Sequence, residues 1–146
     1  MSIQNIEEQI LKSIEGRNRM SDIIYKGDVG DEDGVPIEQV NVLRGTDIKP
    51  LPHSGERDPT GFSWGYGGSG PAELSRSILA DFFGKQSRQV ALYHDFKWNV
   101  IAGLKKGQSF QLTDSDITSW WKDLLRRNPD LAREMEKAEE KTSEGS

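Results

Sequence analysis

The chain contains no cysteine. Disulfides, thiolate metal centres and cysteine nucleophiles are therefore excluded, and the absence fits a reducing, cytoplasmic compartment. It also lacks any apolar run near the roughly 18 residues needed to cross a membrane as a helix. The opening "MSIQNIEEQILKSIEG" places acids early and has no continuous apolar centre, so it does not read as a secretory leader. Histidine is scarce: His53 and His94 are the only two. His53 adjoins Ser54 and His94 adjoins Asp95, but neighbours in sequence rarely face each other, and no G-x-S-x-G elbow is present. No catalytic residue, metal ligand set or cofactor motif is assigned. Hydrophobic residues make up 34% of the 146, below the globular average, which implies that part of the chain lies outside one modest core.

What is present is charge, unevenly distributed. The net charge is −5. Residues 22–58 hold nine acids against four bases, residues 59–107 three acids against six bases, and residues 130–146 six acids against three bases. Broad, sequence-independent DNA binding needs clustered Lys and Arg and is not expected of such a chain. A small local anion site in the basic middle remains open.

Periodicity divides the chain into an N-terminal amphipathic helix (1–21), an α+β domain (22–128) and a charged helical or disordered tail (129–146). Ile3, Ile6, Ile10, Leu11 and Ile14 recur at helical spacing. Residues 3–14 could dock on their own domain or pair two copies as a homodimer; two heptads do not make a coiled coil. Residues 22–27 and 36–44 read as a hairpin joined by the acidic loop 28–34, whose acids do not match a calcium-loop spacing. Residues 45–60 read as a long loop. A helix is expected over 71–83, with Leu74, Ile78, Leu79, Phe82 and Phe83 inward and Pro71 in its first turn. A second is expected over 87–103, with Leu92, Phe96 and Val100 inward. A short strand follows in "GQSFQL". A third helix from Thr113 carries Ile117, Trp120, Trp121, Leu124 and Leu125, and one of its two adjacent tryptophans is expected to be partly exposed. Pro129 opens the tail, with "EKTSEGS" read as its disordered end. The expected architecture is α+β: a small antiparallel sheet packed by about three helices, with the N-terminal helix added.

The segment "GFSWGYGGSGP" is the most distinctive. Gly65, Gly67 and Gly70 reproduce G-x-G-x-x-G before a helix. A dinucleotide fold needs a second strand and an acid about 20 residues on, where this chain has "RQVALY" in a helix. A P-loop needs Lys and Ser or Thr after the last glycine, where this chain has Pro71 and Ala72. Both named phosphate motifs fail. Two readings survive. In one, glycines and the helix start form a generic anion nest, contacted through Trp64, Tyr66, Gly67, Gly68, Ser69 and Gly70, with Arg76 and Lys97 as cations aimed at the same anion. In the other, the loop is a structural turn packing Phe62, Trp64 and Tyr66, and Glu73 in the first helical turn already complements the dipole.

Residues Pro59–Phe62, Trp64–Ala72 and Leu74, followed by Tyr93, Phe96 and Lys97 and then Leu112, Thr113, Asp116, Ile117 and Trp120, resemble a family of short proteins from bacteria, archaea, plasmids and phages that carries no assigned function. The resemblance spans about residues 22–122, and its Gly-rich block is specific. Ser63 stands where that family usually has an acid. The resemblance implies a compact α+β module and, through its distribution, a role in phage–host or plasmid biology; it implies no activity. The resulting expectation is a non-catalytic binding module whose Gly-rich loop and helix start contact a partner protein or a small, nucleotide-like anionic ligand. The alternative is an acidic inhibitor from a phage or other mobile element. It would act on a host defence protein by imitating nucleic acid with the 28–33 acids and the C-terminal tail.

Overall fold

A computed structural model of the chain describes residues 23–54 and 61–144. Strands β1 (Ile23–Glu32), β2 (Val35–Arg44), β3 (Asp47–Pro50) and β4 (Phe110–Thr113) form one antiparallel sheet in the order β3-β2-β1-β4. Helix α1 spans Ser69–Phe83. A 3-10 turn (Arg88–Leu92), a single α turn α2 (Tyr93–Phe96) and a π turn (Lys97–Ile101) follow in unbroken succession. Helices α3 (Asp114–Arg127) and α4 (Pro129–Glu144) close the chain. The α+β class with a small antiparallel sheet is as the sequence indicates. The expected helix over residues 3–14 lies outside the described residues.

The described residues group into two compact units divided between Asp114 and Ser115. In the first, alternation along β1 and β2 sends Ile23, Tyr25, Val40 and Val42 inward. Tyr25 stands opposite Val42 on one side and Leu112 on the other, so three strands add to one apolar layer. The buried face of α1 supplies Leu74, Ile78, Leu79 and Phe82 to the core. In the second unit α3 buries Ile117, Trp120, Trp121, Leu124 and Leu125. Both indoles are buried, with centroids 5.9 Å apart. This corrects the expected split into one core and one exposed ring: neighbours on a helix differ by only about 100° of arc, and a broad apolar face takes both.

Three further expectations change. The acidic segment 28–34 is not a loop. β1 and β2 stay paired to Glu32 and Val35, and the reversal shrinks to Asp33-Gly34. Both turn residues have positive φ, 53° and 82°, the pattern of a two-residue type I′ hairpin. Residues 45–60 are not all loop either. Gly45 (φ 64°) turns the chain into β3, which pairs with the 41–44 end of β2; Pro50 is tolerated because the strand is an edge. Finally, α4 starts with Pro129 at its first position and runs as a helix through Glu144, which takes in residues 140–144 of the "EKTSEGS" end. None of the described helices is long and apolar enough to cross a membrane.

The expected second helix is the fourth correction. Its inward residues are Phe96 and Ile101, both fully buried, while Leu92 and Val100 are only half-buried. The cause is the π turn. The Ala102 amide donates to the Lys97 carbonyl at 2.7 Å, an i+5 bond. The wide turn accommodates one extra residue, and the core position passes from Val100 to Ile101.

Candidate functional site

The glycine-rich loop is fastened to the segment that follows the π turn. Gly65 donates its amide to the Ile101 carbonyl at 3.1 Å and holds φ at 86°. A Cβ there would lie 2.4 Å from the Lys106 backbone nitrogen, so only glycine lets the two chains meet. Beside it Trp64 is fully buried, donates its indole N–H to the Gln108 carbonyl at 2.7 Å and meets Phe110 edge-on at 4.7 Å. Trp64 therefore belongs to the anchor of the loop and not to its outer surface.

Beyond that anchor the loop faces outward. Tyr66 is 38% exposed and the Lys106 ammonium lies 4.9 Å from its ring centre. The Trp98 indole lies against Gly67, where a Cβ would stand 2.1 Å from Cη2. Trp98 is 59% exposed. The Lys97 ammonium lies 4.6 Å from its ring centre. Lys97 itself is only 8% exposed, and among the described residues its ammonium has no ion pair or hydrogen bond and rests on the Trp98 ring. The Tyr66 ring also covers the start of α1: Cβ atoms at Gly68 and Gly70 would lie 2.8 Å from its ring edge and 3.2 Å from its hydroxyl.

That helix start has no cap. Gly68 occupies the N-cap, offers no side-chain cap, and no acid stands in the first turn. The first amide paired there is that of Ala72, to the Gly68 carbonyl at 3.0 Å. Ser69 and Gly70 lead with amides that have no partner among the described residues, and Pro71 has none to offer. Glu73 does not play the expected role of a first-turn carboxylate facing solvent. It is the fifth helical residue and fully buried. His53 donates from Nδ1 to Glu73 Oε2 at 3.3 Å, and Arg76 Nε approaches Oε1 at 3.7 Å.

Around this carboxylate a second constellation assembles. The His53 ring stacks flat on Phe62 at 4.0 Å, and the Arg76 guanidinium lies over Tyr93 at 4.6 Å. Ser54 is tied to the same helix by its amide, which donates to Ser77 Oγ at 3.0 Å. Ser63 donates its hydroxyl to Glu38 Oε1 at 2.8 Å.

The structure therefore brings Tyr66, Gly67, Gly68, Ser69, Gly70 and Lys97 onto one region, joined by Trp98 and Lys106. It buries Trp64 beneath that region and engages Arg76 with Glu73 and Tyr93. Trp98 and Lys106 escaped the sequence reading. The available signal was the five-residue interval from Phe96 to Ile101, which marks a wide turn and turns Trp98 outward. No group of three or more His, Asp or Glu side chains among the described residues could hold a metal ion.

A model of a family described as a family of unknown function, DUF6166, matches residues 25–123, more than half of the chain. No curated protein and no solved structure matches it.

Proposed function

We propose that this chain, which belongs to the DUF6166 family of unknown function, is a non-catalytic binding module. Its binding surface is the outer side of the Gly-rich loop and the start of α1, and the bound species is a partner protein or a small anionic ligand. One observation carries the reading: Trp98, 59% exposed, lies on Gly67 with a buried lysine on its ring and Tyr66 and Lys106 alongside. Exposed aromatic rings flanked by cations are common at binding surfaces. A loop serving only as a turn needs the buried Trp64 and the glycine at 65, but not this outer layer.

The test is affinity capture of proteins and small molecules from cell extract by the wild-type chain and by Trp98→Ala and Lys106→Ala variants. Both variants alter exposed side chains and should stay folded. Species held by the wild type and released by both variants support the reading. Retention by both variants would defeat it.

A second reading is favoured by the hairpin tip, where Asp31, Glu32 and Asp33 are all exposed. Three adjacent carboxylates on a projecting two-stranded ribbon suit an acidic inhibitor that enters a basic groove of a host protein. Capture that vanishes when these three are changed to Asn or Gln, and survives Trp98→Ala, would select this reading over the first.

A further inference from the structure

We infer that the loop surface takes a mononucleotide, its base stacked on the exposed ring of Trp98 and its phosphate held by the lysines and the uncapped start of α1. The inference rests on the reading of this surface as a binding site and names its ligand class. Trp98 is a flat ring with contacts on two sides: Gly67 lies by its Cη2 and the Lys97 ammonium sits 4.6 Å from its centre. It still leaves 59% of its surface to solvent. An exposed indole is a stacking platform, and stacking tolerates any base because each has a π face.

The charges point to the other half of the ligand. Lys97 is 8% exposed, and its ammonium has only the Trp98 ring for company among the described residues. The packed stem of Lys97 holds this cation against the indole, where it can meet an arriving negative charge. Lys106 adds a second ammonium above Tyr66, whose ring borders Gly68 and whose hydroxyl borders Gly70. The α1 start contributes the amide of Ser69, an exposed residue, with neither a side-chain cap nor a first-turn acid competing for it. An inorganic anion would use the charges and leave the indole bare. An apolar ring would use the indole and leave the charges unmet. A base joined to a phosphate uses both. A long strand is disfavoured by the net charge of −5, which repels a polyanion beyond the site itself.

The experiment is a titration of the isotopically labelled full chain, followed by NMR, with adenosine monophosphate, adenosine, inorganic phosphate and a short single-stranded oligonucleotide. The mononucleotide should shift the Trp98 indole signal and the amides of Gly67 to Gly70 while the Trp64 indole signal stays in place. Adenosine and phosphate alone should each bind at least about tenfold more weakly. Trp98→Ala should weaken the mononucleotide by roughly 5- to 150-fold, the range expected for loss of one stacked base. Lys97→Met should weaken phosphate-bearing ligands and leave adenosine unchanged. Absence of any shift at millimolar mononucleotide overturns the inference, as does an equal response to phosphate alone. Tighter binding of the oligonucleotide, with strong salt dependence, overturns it in favour of a strand. If nucleotides fail while Trp98→Ala still abolishes capture from extract, the ligand class falls and the binding surface stands; if both fail, both fall.

Discussion

Trp98 meets Gly67 with a side chain, whereas two residues earlier Lys106 meets Gly65 with backbone. Added Cβ atoms would stand 2.1 Å from Trp98 Cη2 and 2.4 Å from the Lys106 nitrogen. Similar distances should have different consequences. An exposed indole can swing away, but two backbone segments joined by the Gly65–Ile101 hydrogen bond cannot separate without losing it. Gly65 also sits at φ 86°, which an alanine adopts only under strain. Gly65→Ala should therefore lower stability by about 2–4 kcal/mol. Gly67→Ala should cost under about 1 kcal/mol while displacing the Trp98 indole resonance. Urea unfolding of the two variants decides it; equal losses would mean that Trp98 is part of the core packing.

Four tryptophans are present, at 64, 98, 120 and 121, and three are at most 5% exposed. Collisional quenchers reach only accessible rings. Acrylamide or iodide should quench one component of the emission, and Trp98→Phe should remove that component with little change in unfolding midpoint. Iodide should quench more strongly than its size suggests, because Lys97 and Lys106 draw an anion to the spot. If Trp98→Phe leaves the quenchable fraction intact, the indole is not the exposed one.

How far the sequence disclosed this arrangement depends on how local each signal is. The helix at 69–83 was legible because its apolar spacing, proline and terminal glycine all agree. The hairpin was legible as a pair, yet its turn was overestimated: the acids of 28–32 read as loop formers, although in a ribbon open to solvent they sit comfortably on strands and Asp33-Gly34 alone makes the reversal. β3 was missed because four residues ending in proline form a strand only when β2 offers them an edge. The site was half legible. The glycines and Tyr66 announce a special loop, but Trp98 arrives from a different segment, and its orientation depends on a π turn that no propensity encodes. The burial of Glu73 was likewise invisible, since His53 and Arg76 reach it from 20 residues before and 3 residues after it.

Tyr25 is fully buried and donates its hydroxyl to Asp81 at 2.6 Å, while Arg44 approaches the same carboxylate oxygen at 2.5 Å. This joins β1, β2 and α1 at one point. Tyr25→Phe removes a donor to a charged acceptor and should cost about 1.5–3 kcal/mol. Arg44→Ala should cost less, under about 1 kcal/mol, because Arg44 is 41% exposed and water replaces it. A double-mutant cycle should show a coupling above about 0.5 kcal/mol; strict additivity would show that the two groups hold Asp81 independently.

The pair formed by His53 and Glu73 gives the last expectation, because it separates architecture from binding. Glu73 is fully buried and accepts from His53, whereas His53 is 45% exposed and rests on Phe62. Removing the exposed partner lets water approach, so His53→Ala should cost about 1 kcal/mol. Removing the buried one leaves a gap and strips partners from both His53 and Arg76. Glu73→Ala should therefore cost more, about 2–4 kcal/mol, and Glu73→Gln less than Glu73→Ala, because it keeps the volume and one acceptor oxygen. Neither His53 nor Glu73 touches Trp98, so the quenching of Trp98 and the mononucleotide response should persist in every variant that folds. A stable Glu73→Gln protein that has lost the nucleotide response would move the binding chemistry from the Trp98 surface to the His53–Glu73 pair.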